Sequence, residues 1–197
     1  KPSMLLLSYC LLTMVGSGCL LAEEVDKGAL VKDMQTRWAM VNYQQKSKNQ
    51  KKAFKQLVED ANKEAEQYPD SAEILTWAGI INSSYAGIAS TFSAMSYAKQ
   101  AKADFEKAIS IDGDALAGSA YTSLGTLYYK VPGGFIGFGD DDKAAEWLLK
   151  GLQVNPDGID SNYFYADYLY EEKKYEAAKE HLQKALIQNY PSLNNYT

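Results

Sequence analysis

Small and apolar residues recur through the second half of the chain in one spacing, written three times. Ala101, Phe105 and Ala108 are matched by Ala144, Leu148 and Gly151, and again by Ala178, Leu182 and Ala185. Steps of four and then three residues put each triplet on one face of a helix. The triplets are offset by 43 and 34 residues, a period in the range of stacked helical repeats. Between them, breaking clusters return: Tyr68-Pro69-Asp70-Ser71, Ile111-Asp112-Gly113-Asp114, Asn155-Pro156-Asp157-Gly158 and Tyr190-Pro191-Ser192. Each stops one helix and starts the next. The pattern predicts three pairs, each a helix A, a turn and a helix B, over 71–113, 114–157 and 158–191.

Residues 23–70 read as N-terminal helices of the same single domain. One helical pattern runs from about Val25 to Tyr43, with Leu30, Met34, Trp38 and Val41 along one face. A lysine-rich connection over Lys46–Lys52 leads to a second helix that ends near Tyr68. Within the pairs, small residues stand where two helices approach closely. Gly125 and Ala166 occupy the same place in successive A helices. In the last pair, Asn162, Tyr165, Ala166 and Leu169 form one stripe and Tyr175, Ala178, Leu182 and Ala185 the matching one. The expected fold is all-α, a short right-handed solenoid of helix pairs with an N-terminal helix as cap.

The stretch Gly158–Gln188 resembles a tetratricopeptide repeat, through its small residue in helix A, Tyr175-Glu176-Ala177-Ala178, Leu182 and Ala185. Ser119–Pro156 fits less closely, and Ser71–Gly113 loosely. The segments Gly118–Gly125, Val131–Asp140 and Asn155–Tyr165 are also similar to a group of exported, mostly proteobacterial repeat proteins. That resemblance implies a fold and a periplasmic location, and no activity.

Charge and composition narrow the function. With 46% hydrophobic residues the 197-residue chain has enough for one core, and its net charge is −5. No basic stripe appears, so neither nucleic acid nor an anionic lipid surface is an expected partner. Residues 2–22 carry no charge. Lys1, the apolar run Met4–Val15, the small residues Gly16-Ser17-Gly18 and Ala22 before Glu23-Glu24 follow the order of a secretory signal. Cleavage after Ala22 is the expectation, with an uncleaved membrane anchor as the alternative. Gly18-Cys19 offers a third outcome, lipid attachment, although Gly16 stands where a large aliphatic residue belongs. Cys10 and Cys19 both lie in this leader. The rest of the chain then has no thiol for disulfides, catalysis or metal binding.

Candidate binding residues sit on the A helices. Tyr121, Leu124 and Tyr128 share a core-facing stripe. Thr122, Thr126 and Tyr129 lie on another face, with Tyr163, Asp167 and Tyr170 as their counterparts one repeat later. In a stack of helix pairs that face lines a concave groove, where tyrosine supplies contact area and a polar tip. Without Lys, Arg or Asn there, the groove suits a neutral, apolar or mildly basic protein segment better than an acidic tail. The loop Val131–Asp142 carries Phe135, Ile136 and Phe138, which pack on the scaffold or meet a partner.

Asp140-Asp141-Asp142 read as a helix start, not a cation site. No phosphate loop, no catalytic constellation, no metal and no cofactor is expected. The single histidine, His181, reads as a solvated surface residue. The leading function is a periplasmic adaptor without enzymatic activity. Its rival is a carrier of a small apolar ligand, held between the first repeat and the loop as a transporter accessory; in the first pair, Ile88, Phe92 and Met95 are candidates to line a pocket.

Overall fold

The computed structural model of the protein describes residues 26–45 and 47–189. The leader, both cysteines and the Tyr190-Pro191-Ser192 stop lie outside the described residues. Regular structure among the described residues is helical throughout: α1 Lys27–Ala39, α2 Ser47–Gln67, α3 Ala72–Ala86, α4 Thr91–Asp112, α5 Ala115–Lys130, α6 Asp141–Val154, α7 Ile159–Glu171 and α8 Tyr175–Asn189. A π-helical turn, Met40–Gln44, extends α1.

The punctuation works through hydrogen bonds. Ser71 Oγ accepts from the Ile74 N–H at 3.4 Å, and Asp140 Oδ1 from the Lys143 N–H at 3.0 Å. Both satisfy backbone donors that the first helical turn leaves free. Asp140 is therefore an N-cap and Asp141 and Asp142 fill the first turn of α6. The Asn155–Gly158 turn is tied down by Ser161 Oγ, which donates to the Asn155 carbonyl at 2.6 Å. Asn162 Nδ2 donates to the Pro156 carbonyl at 2.8 Å.

Two local expectations need correction. The lysine-rich segment is not a connection, because α2 already starts at Ser47. Lysine is a good helix former, and the buried face of Phe54, Leu57, Val58 and Ala61 holds that helix in place. The start of α5 also departs from a regular helix. Leu116, Ala117 and Gly118 have φ of 50°, 54° and 76°, a left-handed turn that costs a residue with a Cβ about 1–2 kcal/mol.

The helix pairs are α3–α4, α5–α6 and α7–α8, and the A helices α3, α5 and α7 pack in sequence against one another. Among the described residues, the B helices α4, α6 and α8 touch A helices but not each other. The A helices therefore line the inner side of the curve. The N-terminal helices continue the pattern, since α1 meets α3 as an A helix does and α2 lies against α3 as a B helix does.

The repeated triplets form the seams. Ala101, Phe105, Ala108, Ala144 and Leu148 are at most 1% exposed. Each large member lies against a glycine: a Cβ on Gly79 would come within 2.5 Å of the Phe105 ring, and one on Gly125 within 2.7 Å of Leu148. Gly79, Gly125 and Ala166 are thus one position in three successive A helices. The third triplet breaks the rule. Ala178 and Ala185 are buried, but Leu182 is 39% exposed. No further A helix among the described residues covers it.

Candidate partner-binding groove

The inner face is built where α5 meets α7. The Tyr129 hydroxyl donates to Asp167 Oδ2 at 2.7 Å, and Lys130 Nζ reaches the same oxygen at 3.0 Å and Glu171 Oε1 at 3.2 Å. Lys130 also stands over the Tyr129 ring, 4.7 Å from its centroid, and the Tyr129 and Tyr168 rings meet edge to face at 5.6 Å. Burial, and then the Asp167 carboxylate beside it, push the Tyr129 hydroxyl above its ordinary range. The phenol stays protonated and keeps donating. Asp167 has only one of its two oxygens in these bonds.

Tyr163 and Tyr170 flank Asp167 on α7, one turn to either side. They are 49% and 61% exposed. Thr126 is half-buried and its hydroxyl donates to the Thr122 carbonyl at 2.8 Å. The structure therefore joins Tyr129 to Asp167, with Lys130 and Glu171 added; Thr126 lies one turn before Tyr129, and Tyr163 and Tyr170 stand exposed along α7 on either side of Asp167. Thr122 does not belong to this group. It is buried, packed against Gly151 of α6, where a side chain would collide with its hydroxyl.

The core stripe of α5 behaves as the spacing requires: Leu124 and Tyr128 are buried, and Tyr121 stacks on Trp147 with ring centroids 5.8 Å apart. The inner face also continues to the N-terminus. Trp38 Nε1 donates to Ser84 Oγ at 2.9 Å, and its ring meets Trp77 at 5.9 Å and the exposed Tyr43 at 5.7 Å. Trp38 was legible only as a member of an apolar stripe. Its pairing with α3 depends on helix packing.

The 131–142 loop divides its aromatic residues. Phe138 turns inward and meets Tyr128 edge to face at 5.7 Å. Phe135 and Ile136 stand in solvent. The base is fixed, because the Gly139 N–H donates to the Pro132 carbonyl and the Asp140 N–H to the Tyr128 carbonyl, both at 3.0 Å. Gly137 rests against Met95.

The Ile88–Phe92–Met95 pocket is not formed. Phe92, in the first turn of α4, is fully exposed, and Ile88, in the connection before it, lies at the surface. An open cleft of about 270 Å³ lies elsewhere, between Leu116-Ala117 and Asn155–Ser161. His181 also differs from expectation. It is half-buried, Nδ1 lies 2.8 Å from Asn162 Oδ1, and its ring meets Tyr165 edge to face at 4.8 Å.

A tetratricopeptide-repeat model matches residues 83–114, a stretch that contains the first triplet. The helix pairs are tetratricopeptide-like, a fold that typically serves as a protein–protein interaction scaffold. Two crystal structures of MamA are similar to the chain at 19% and 17% identity. They cover 75% and 84% of it, and 95% and 96% of their own chains, with TM-scores of 0.38 and 0.37. No curated protein sequence matches. Among the described residues no helix is long and apolar enough to cross a membrane.

Proposed function

We propose that the protein is a non-enzymatic adaptor, exported to the periplasm, that holds a neutral or apolar segment of a partner protein along the inner face of its A helices. The observation that carries this reading is the exposed pair Tyr163 and Tyr170 on either side of Asp167. Large aromatic rings left in solvent on a rigid helix are anchors that lose little side-chain entropy on binding. The Tyr129–Asp167–Lys130 bonds hold the floor between them rigid. Lys130 offsets much of the local acidity, which favours a segment of low charge. Phe135 and Ile136 add a second apolar contact on a fixed loop base. Export rests on the order of residues 1–22.

A crosslinking pull-down from periplasmic extract tests the reading, using residues 23–197 beside a Tyr163→Ala/Tyr170→Ala variant. A protein captured by the wild type and lost with the variant, at unchanged helical circular dichroism, is the expected result. Equal capture by both, or no specific capture by either, would overturn it.

A further inference from the structure

The left-handed turn at the start of α5 walls the cleft of about 270 Å³, whose other side is Asn155 and the first turn of α7. Sites for small molecules are larger, roughly 300–1,000 Å³. The cleft is the size for one side chain. It adjoins the groove along α7, because Asp160 in its lining stands one turn before Tyr163.

The lining sets the chemistry. Ser119 Oγ donates to the Leu116 carbonyl at 2.6 Å, and Ser161 Oγ to the Asn155 and Gly158 carbonyls at 2.6 and 3.0 Å. Both hydroxyl protons are spent, so the two oxygens offer only acceptance. Thr122, also in the lining, is 4% exposed. Thr36, Thr76 and Thr126 each donate to the carbonyl four residues back. Thr122 does not, since four residues back is Gly118 in the left-handed turn. Its hydroxyl is left without a hydrogen-bond partner among the described residues, although a group so buried ordinarily has one.

Charge then chooses the ligand. Asp160 lies in the lining, Asp157 in the turn just before it, and Asp114 at the foot of α5. Among the described residues none of these three is ion-paired. The dipole of α7 is already answered by Asp160 in its first turn. At the other end of the groove, Asp167 and Glu171 hold Lys130. The two ends therefore differ by one cation.

We propose that this cleft receives one basic side chain, lysine or arginine, of the segment that the groove binds. Its cationic head meets Asp160 and the Thr122 hydroxyl, and its apolar stem lies along Leu116, Ala117 and Ile159. The proposal rests on the groove reading and gives the segment a direction: its basic residue sits at the start of α7, and its apolar residues follow on Tyr163 and Tyr170.

Butylammonium, a lysine side chain without its backbone, tests the cleft by itself. It is titrated into isotope-labelled residues 23–197 and followed by amide chemical shifts, with butyrate and butanol as controls. Saturable shifts at Ser119, Thr122 and Ile159–Ser161 are expected with the ammonium alone. Asp160→Asn is expected to weaken them about threefold, the worth of one exposed ion pair, and Tyr163→Ala/Tyr170→Ala to leave them unchanged. No saturable shift, or equal shifts with butyrate or butanol, would overturn the cleft whatever the pull-down finds. The protein caught in the pull-down tests the segment. Asp160→Asn is expected to weaken its capture by a similar factor, and Asp160→Glu to restore it. Capture indifferent to Asp160 would overturn the proposal and leave the groove reading standing. No capture, with the ammonium still bound, would overturn the groove reading and the basic segment with it, but not the cation site.

Discussion

The first and last helix pairs place opposite chemistry at one shared position. Asp104, Trp147 and His181 each stand one residue before the large member of a triplet. In the middle pair Trp147 stacks on Tyr121 of its own A helix. In the first, Asp104 is 5% exposed, takes a hydrogen bond from Gln100 Nε2 at 2.9 Å and lies 3.4 Å from Asn82 Nδ2. In the last, His181 pairs with Asn162. Burial pushes the Asp104 carboxyl up to about 6, against the bonds from Gln100 and Asn82 and the charge of Lys107. Burial, helped by Lys184, lowers His181 from its ordinary value. The seam between an A and a B helix thus accepts a titratable group provided that it is partnered, and it favours the neutral form of either sign.

The sharpest way to break the likeness between interior and terminal pairs is to remove their matching leucines. Leu148→Ala is expected to cost about 3–4 kcal/mol, a cavity in a closed seam, whereas Leu182→Ala costs about 1 kcal/mol at an open one. Urea unfolding of both variants measures the gap; equal losses would mean that Leu182 is covered in solution.

Asp104 comes next. Its folded value lies above the ordinary carboxylate value of 3.8, so the folded state holds the proton more tightly. Its contribution is fully present below about pH 4, falls as pH rises, and is gone above about 6. The loss amounts to about 3 kcal/mol. A neutral amide at this buried place avoids the cost of a charge that burial disfavours. Asp104→Asn is therefore expected to raise stability above pH 7 and to flatten the profile between pH 4 and 7. An unchanged difference from wild type across that window would refute it.

The glycine seam gives a smaller effect. Gly125→Ala gains helix propensity but drives a methyl into Leu148, for a net loss of about 1–2 kcal/mol. Ala166→Gly, at the matching place in the last pair, costs about 1 kcal/mol through backbone entropy. Thermal melts of the two single variants separate these causes.

The smallest effect is that of His181. Its lowered value means that its contribution is present above the ordinary value of 6.5 and fades as pH falls below it, the reverse of Asp104. His181→Gln, which can keep a bond to Asn162, is expected to flatten the acid limb while costing about 1 kcal/mol or less. Chemical denaturation at pH 5 and pH 8 reads it out.

Much of the fold was legible residue by residue. Phe105 and Leu148 stand out through spacing alone, and Asp140 as a cap through its position before a helix. Gly79 was missed because its meaning lies in Phe105 across the seam, in another helix. Of the groove, Tyr129, Tyr163, Asp167 and Tyr170 were placed on one face by period. Thr122 shares that period and still fell inside, because Gly151 lets the two helices approach. Asn162 was legible as a member of the last A-helix stripe, but its bond to His181, like that of Asn82 to Asp104, leaves no local trace.

The helices, most of their breaks and the apolar side of each were determined by the amino-acid sequence alone, because helical periodicity, capping and breaking act over a few neighbouring residues. Tertiary structure alone decided what covers each apolar side. It buried Leu148 and left Leu182 open, turned Phe138 inward and Phe135 outward, and set Leu116 and Ala117 in a left-handed turn. Burial belongs to pairs of surfaces, and a residue's own segment does not say which surface it will meet.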